Sequence, residues 1–441
     1  MEGLKDIEFF QIPIEWHSVK LGSEKPLVLE EIRTGLTISQ NKDGGNFKVS
    51  RIETISESII DESRVQYISE ITKEKIEKYL IKKGDILFSH INSDPHLGKT
   101  AIAERDYDDL LHGMNLLLFR ANKSIIEPEF LNYIFNLYRD IGVFVRIRSR
   151  AVNQSSINQN KLKNLEIPLP ELPEQRKIVH VLSKVQKAIE QQDNLIRTTT
   201  ELKKALMQKL FMEGTIGETQ KETEIGLVPG SWGVASINQT KTLMQYGTSV
   251  KCDYKTEGVP VIRIPNVISG KVDVSDLKFG KPKRNELEKL KLNKGDLIFV
   301  RTNGAKELSG RCAIFNNEID NCYYASYLIR LQLDDNKVIP DFINYYAQTE
   351  LGKSFLSGKA IRTADGKYNI NTGILNNVLY PLPGLNEQKE IVYIISLMEE
   401  KIAFQNKKKQ TLTSLFKILL HELMTGQRRV HEVEFNKDLT L

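Results

Sequence analysis

The feature that most constrains this chain is that it says one thing twice. At 168 it reads PLPELPEQRKIV and at 381 it reads PLPGLNEQKEIV, an offset of 381 − 168 = 213 in a chain of 441 residues. The repeat extends in both directions. Pro13-Ile14-Glu15-Trp16 matches Pro229-Gly230-Ser231-Trp232, and Lys83-Gly84-Asp85-Ile86-Leu87-Phe88 matches Lys294-Gly295-Asp296-Leu297-Ile298-Phe299. Gly98-Lys99 with Ala101-Ile102 matches Gly310-Arg311 with Ala313-Ile314. Pro128-Glu129-Phe130-Leu131-Asn132-Tyr133 matches Pro340-Asp341-Phe342-Ile343-Asn344-Tyr345, and Ile157-Asn158 matches Ile370-Asn371. The matches are collinear and their offset stays nearly constant, which is the mark of a tandem duplication. Between the matches the two halves differ strongly.

Each half has one layout. A mixed region of roughly 170 residues comes first, with short β-type runs such as Pro260-Val-Ile-Arg-Ile264 and Asp296-Leu-Ile-Phe-Val300 set off by glycine and asparagine turns. A short helix is expected after Pro128 and after Pro340. Pro-Leu-Pro then blocks helix continuation and introduces a long element.

Counting identifies that element as a helix. Ile391, Ile395, Met398, Ile402, Gln405, Lys409, Leu412, Phe416, Leu419 and Leu423 step by alternating 4 and 3, the seam of a coiled coil, and eight of the ten are apolar. Subtracting the same offset gives Ile178, Leu182, Val185, Ile189, Gln192, Ile196, Thr199, Lys203, Leu206 and Leu210, seven of them apolar. Both seams weaken in the middle and both place a glutamine at the same step, where it fixes register or is merely tolerated. A helix of about 38 residues is about 57 Å long. Alone it would leave its apolar stripe in water, so its natural partner is its own repeat. Antiparallel pairing would put a pseudo-two-fold axis near Gln192 and Gln405 and one mixed region at each end. The expected fold is α+β: a tandem pseudo-two-fold repeat of two mixed β-rich heads joined by two long antiparallel coiled-coil spacer helices. Two heads on a rigid spacer suit duplex DNA, where two-fold proteins read half-sites about 34 Å apart. Heads alike in scaffold and unlike in loops predict two different half-sites and an unread gap.

Composition narrows the class. Apolar content of 40% and charged content of 27% are those of a globular protein. No apolar run approaches the length needed to cross a bilayer, and the opening MEGLKDIEFFQIP carries acids where a leader would carry bases, so a cytoplasmic protein with no membrane partner is expected. Cys252, Cys312 and Cys322 form no CxxC pair, and no HExxH spacing appears, so neither a metal site nor a cofactor is expected. A net charge of +5 permits a polyanionic partner without demanding one. Leu97-Gly98-Lys99-Thr100 ends like a phosphate loop, but Ser93 stands where the motif needs glycine. There is no Asn-Pro-Pro-aromatic motif for adenine methylation and no GxGxxG, so no catalytic residue is assigned. Asp85 and Asp296 read as turn residues ahead of an apolar strand.

The chain resembles the specificity subunit of a type I restriction–modification system. The residues that carry this are Glu224-Ile225-Gly226-Leu227-Val228-Pro229-Gly230-Ser231-Trp232, the Gly258-Val-Pro-Val-Ile-Arg263 run, and Gly295-Asp296-Leu-Ile-Phe299 followed by Arg301-Thr302. Pro381-Leu-Pro383 with Asn386-Glu387-Gln388, and the first copy of that motif, complete the set. Their order, duplicated across nearly the whole chain, is what makes the resemblance specific. It implies target recognition domains at 1–170 and 214–383, spacer helices at 171–213 and 384–429, and a C-terminal tail at 430–441. It implies a non-catalytic subunit that binds double-stranded DNA and two methyltransferase subunits, through which two motor-nuclease restriction subunits join. The first half departs from the pattern: Phe88-Ser89-His90-Ile91-Asn92 stands where the second has Phe299-Val300-Arg301-Thr302-Asn303. A fused single-chain restriction enzyme lacks its methylase motif here, while a two-headed protein scaffold remains open.

Arginine pairs with guanine and asparagine with adenine in the major groove, while lysine more often meets phosphate. The candidate DNA contacts are therefore the basic and amide residues of the repeat-flanking loops. In the first half these are Arg51, His90, Asn92, Lys99, Arg146, Arg148, Arg150 and Gln154. In the second half they are Arg263, Asn266, Arg301, Asn303, Lys306, Arg311, Arg362 and Lys367. Glu174-Gln175 and Glu387-Gln388 open the long helices. Dipole capping accounts for the two acids; repetition together with the resemblance puts Gln175 and Gln388 at the junction of head, helix and methyltransferase partner, and makes all four candidate methyltransferase contacts.

Overall fold

Apolar runs bounded by glycine and asparagine turns fold here as short, mostly antiparallel strands. The structure, a computed structural model, describes residues 3–55, 58–150, 154–268 and 270–430, so the expected tail 430–441 lies outside the described residues apart from Val430. Two units form, Met1–Gln192 with Lys408–Leu441, and Asp193–Lys407. In the first, four strands pair in the order Leu29–Thr34, Leu116–Ala121, Ile86–Ser89, Thr100–Ile102, all antiparallel. The second repeats this order with Lys241–Tyr246, Leu328–Leu333, Leu297–Val300 and Cys312–Ile314. It then adds Gly270–Val272, parallel to Cys312–Ile314, and Val267–Ile268 beside it. Each unit also carries a three-stranded sheet, Phe47–Val49 with Gln66–Ile68 and Leu110–Leu111, or Val259–Ile262 with Lys278–Gly280 and Tyr323–Tyr324. Mixed helix and sheet in two repeated domains is the architecture.

The repeated Lys-Gly-Asp is a turn. Gly84 and Gly295 sit at φ +90° and +91°, which a side chain would strain. Asp85 accepts from the Lys82 amide at 2.8 Å and holds the Arg120 guanidinium with both oxygens at 2.7 Å. Asp296 accepts from the Asn293 amide at 2.9 Å and from Gln332 at 2.7 Å. The pair Gly98 and Gly310 is equally structural. Both have positive φ, and a Cβ on Gly98 would lie 2.2 Å from the Phe144 ring. Lys99 and Thr100 lead into the strand Thr100–Ile102 rather than a helix N-terminus, so nothing here cradles a phosphate.

Helices follow Pro128 and Pro340, at Pro128–Asp140 and Pro340–Tyr346, and their aromatic faces build the cores. The long elements are helices Leu172–Glu213, 42 residues, and Leu385–Met424, 40 residues. Every position of both seams is buried or half-buried. In the first unit Ile178, Val181, Leu182 and Val185 share a core with Leu419, Leu420, Leu423 and Met424. In the second Met207, Leu210 and Phe211 share one with Ile391 and Ile395. Lys203, a cation on the seam, is neutralised there by Glu399.

The repeated Glu-Gln fastens sheet domain to long helix. Gln175 is fully buried. Its amide oxygen accepts from the Glu127 N–H at 2.9 Å, and its Nε2 donates to the carbonyls of Ile125 at 3.1 Å and Pro170 at 2.8 Å. Gln388 repeats each bond, with the Ile339 N–H at 2.8 Å and the carbonyls of Lys337 at 3.1 Å and Pro383 at 2.9 Å. Glu127 and Ile339 immediately precede the helices at Pro128 and Pro340, so one amide ties the start of the short helix to the start of the long one. The preceding acids receive the repeated tryptophans. Glu174 accepts from the Trp16 indole at 3.0 Å and is bridged by Arg429; Glu387 accepts from the Trp232 indole at 2.8 Å and from the Thr215 N–H at 3.0 Å. This corrects the expected partner contact at Gln175 and Gln388. With no exposed surface and both ends of each amide bonded internally, neither has anything to offer a partner. The carboxylates of Glu174 and Glu387 are likewise committed inside their own units.

Gln175→Ala or Gln388→Ala would orphan one buried N–H and two carbonyls, each costing about 1–3 kcal/mol. Either variant is expected to lose about 3 kcal/mol or more of stability in denaturant unfolding. A loss below about 0.5 kcal/mol, the range of a neutral surface substitution, would show that the amide is not the fastening.

Candidate nucleic-acid interface

Where each buried central strand ends, the chain turns out into a ledge of three two-residue strands. In the first unit these are Ile91–Asn92, Ser155–Ser156 and Ser149–Arg150, and in the second Thr302–Asn303, Tyr368–Asn369 and Ile361–Arg362. Register places Asn92, Ser155 and Arg150 in one row across the first ledge, and Asn303, Tyr368 and Arg362 in one row across the second. Residues directly opposite in antiparallel strands project from the same face. Segments far apart in the chain thus bring an asparagine and an arginine to matching places in both units.

The first ledge is organised by Asp94, which the sequence did not single out. It pairs with Arg148 at 2.9 Å and Arg150 at 3.8 Å, and accepts from the Ser155 hydroxyl at 2.5 Å. That hydroxyl first, and then the two arginines, hold its carboxyl below the usual carboxylate range. Asn92 bonds to Ser89 and to the Ser93 amide. Gln154 is exposed beside the ledge strand, and Arg146 is exposed on the helix Val143–Ile147, bonded to the Ile141 carbonyl. Lys99 is half-buried. His90 stands at the root of the ledge, and burial pushes its ring down to about 4. Arg51 lies elsewhere, tied to Gln40, Gln66 and Glu53 beside the strand Phe47–Val49.

In the second unit Arg301 stands at the root of the ledge with its guanidinium 4.5 Å from the Tyr246 ring centre. Arg362 is exposed, and Lys367 pairs with Asp365 at 3.0 Å. The Thr363 hydroxyl first, and Lys367 next, bring that carboxyl down to about 2. Lys306 is exposed on the turn Lys306–Leu308, and Arg311 reaches the Val267 carbonyl at 3.5 Å. Arg263 is held by Asp276 at 3.4 Å. Asn266 is a correction. It is 1% exposed, and its amide accepts from the Arg263 N–H and donates to the carbonyls of Asp273 and Asp276, so it shapes a loop and cannot reach a base. Tyr327 was missed. It is 58% exposed, and its carbonyl accepts the Arg301 N–H at 2.9 Å. Its only sequence signal was an aromatic in a loop ahead of an apolar strand.

Among the described residues no three His, Cys, Asp or Glu side chains are grouped to hold a metal, and no helix is long and apolar enough to cross a membrane. Fold and ledges together define a protein with two comparable surfaces rich in arginine and asparagine. The family model for the type I restriction modification DNA specificity domain matches the chain twice, at residues 13–197 and 233–414. A Methanocaldococcus jannaschii protein, provisionally assigned as the type I restriction enzyme MjaX specificity subunit, is 35% identical over 437 residues, 97% of each chain. The type I restriction enzyme MjaVIII specificity subunit of the same organism is 24% identical over 448 residues, 98% of each. The crystal structure of an S subunit from M. genitalium shares the fold with a TM-score of 0.54 at 15% identity, over 92% of this chain and 96% of that one. A chain from a study of assembly and conformational transition in a type I system gives 0.53 at 19%, over 95% and 100%. This chain belongs to the type I restriction–modification DNA specificity family and carries two copies of its domain.

Two histidines give the first unit a pH signature. His112 is fully buried with its Nε2 at 3.1 Å from the Leu116 carbonyl, and burial first, then Arg33, pushes it down to about 3. Both it and His90 titrate below their ordinary value near 6.5. The unfolded chain therefore takes up these protons first as pH falls. The stability contributed by the neutral rings is complete above about pH 6.5 and is lost as pH falls toward 4 and 3. Each histidine contributes a slope of at most about 1.4 kcal/mol per pH unit. His112→Gln, which keeps a donor for Leu116, is expected to flatten the dependence between pH 6 and 4 in denaturant unfolding; an unchanged slope would refute this.

Proposed function

We propose that this chain is the sequence-reading subunit of a type I restriction–modification complex. Each unit reads one half of an asymmetric, two-part site in double-stranded DNA. The domains at 1–170 and 214–383 are the readers. The helices at 171–213 and 384–429 pair antiparallel as a coiled-coil spacer that sets the unread gap and holds two methyltransferase subunits. Two restriction subunits join through those methyltransferases. The chain supplies recognition and no catalytic group, and it works in the cytoplasm, where its DNA is.

The observation that carries this reading is the repeated ledge. One scaffold presents Asn92, Ser155 and Arg150 in the first unit and Asn303, Tyr368 and Arg362 in the second. The rows share their asparagine and arginine and differ in the middle, Ser155 against Tyr368, and at the root, His90 against Arg301, so one scaffold offers two different surfaces, as reading two different half-sites requires. The long helices support the spacer, since the start of each packs in one core with the end of the other.

Co-expression with a methyltransferase partner, followed by single-molecule sequencing of host DNA, should give adenine methylation in a two-part motif with a fixed gap. Exchanging residues 1–167 for another recognition domain should change one part alone. A complex that forms and marks no two-part motif would overturn the reading. Binding to the motif should also weaken steeply with salt, through counterion release, about tenfold or more between 50 and 200 mM. Little DNA binding at any salt would point to the scaffold.

A further inference from the structure

Arg301 and His90 occupy one place in the two repeats. Each follows a buried central strand, Leu297–Val300 or Ile86–Ser89, and precedes a ledge strand, Thr302–Asn303 or Ile91–Asn92. The backbone bonds agree: the Arg301 carbonyl accepts from the Ile370 N–H at 2.8 Å, and the His90 carbonyl from the Ile157 N–H at 2.9 Å. Of the other candidate cations, Arg148 and Arg150 are paired with Asp94, Arg263 with Asp276 and Lys367 with Asp365, while Arg362 is exposed to water. Among the described residues no carboxylate reaches Arg301, and its Nε is buried without a hydrogen-bond partner. Its Nη1 finds only the Ser326 carbonyl, at 3.5 Å. At His90 the Nδ1 is likewise buried and unpartnered.

A half-buried cation without an acid is unfavourable in the free protein, as is a buried ring nitrogen without a partner. Both copies carry that cost at one scaffold position, at the foot of the ledge. Arg301 is also prepared for a flat ligand. It lies on Tyr246, whose hydroxyl accepts from the Thr372 N–H at 3.1 Å and so is itself held. The planar fork is thereby fixed before binding, and the Arg301 N–H donates to the carbonyl of exposed Tyr327. A fork so held matches the two acceptors that guanine alone presents together in the major groove, O6 and N7.

We propose that this scaffold position is the principal base-reading position of each unit, and that Arg301 selects a guanine in the half-site read by the second unit. This rests on the DNA-reading function proposed above. Tyr246 acts as a positioning residue. His90 performs the corresponding reading in the first unit as a neutral ring.

The test uses the complex with its methyltransferase partner and compares wild type, Arg301→Ala, Arg301→Lys and His90→Ala. Methylated motifs are mapped, and binding is measured by competition among duplexes carrying each base at each motif position. Arg301→Ala should leave one half of the motif and the gap unchanged, while one guanine in the other half loses about 5- to 150-fold of its discrimination. Arg301→Lys, which keeps the charge and lacks the fork, should regain binding but only part of the discrimination. His90→Ala should relax only the opposite half. A half-site without guanine overturns the proposal, and so does Arg301→Ala with discrimination intact at every position. Should Arg301→Ala fail to assemble, Arg301→Lys decides alone, and wild-type discrimination in it overturns the proposal. A wild-type complex with no two-part motif overturns the DNA-reading function itself, and this proposal with it.

Discussion

A single buried amide is the constraint on which each unit depends. Gln175 in one copy and Gln388 in the other join three backbone groups from two segments: two from the loop that leads into the short helix, and the proline that ends the Pro-Leu-Pro motif. The strand, the short helix and the long helix are thereby set at fixed angles to one another. A buried polar group is tolerated only when fully bonded, and an amide fully bonded to backbone leaves little freedom to the elements it joins. The indole bonds of Trp16 and Trp232 to the adjoining acids fix the opening hairpin of each unit to the same junction.

The duplication divides the chain's residues into two kinds. Those that recur build the junction, the Lys-Gly-Asp turn and the aromatic cores, and they recur because packing tolerates few alternatives. Among those that differ are Ser155 against Tyr368 on the ledges and His90 against Arg301 at their roots. A scaffold of this kind can change what it recognises while its joints stay the same. The second unit shows the latitude available, having extended its main sheet by two strands that the first unit's sheet does not have.

Electrostatics on the ledges follow the same division. Asp94 and Asp365 each hold basic side chains at the surface and stay ionised themselves. Acids within a basic surface reduce its attraction for polyanions but orient its arginines, which trades non-specific affinity for geometry. His90 and Arg301 stand outside this pattern, since each has a buried side-chain nitrogen with no hydrogen-bond partner and no acid answers either of them among the described residues.

The sequence by itself determined the duplication, the two long helices with their seams, the turn at Lys-Gly-Asp and the helices after Pro128 and Pro340. Each of these is a local or periodic property: heptad stepping, a glycine that must take positive φ, a proline that opens a helix. Residue type alone also pointed to Asn92, Arg150, Asn303 and Arg362. Only the tertiary structure decided what shares a row or a core. Strand register put those four residues at matching places, and it could not be read from two-residue strands with no alternation to count. Burial decided that Gln175, Gln388 and Asn266 face inward, although an amide's type gives no sign of whether its partners are backbone or ligand. The weight of Asp94, Tyr246 and Tyr327 likewise comes from neighbours distant in sequence, and pairing at that range is set by packing rather than by local pattern.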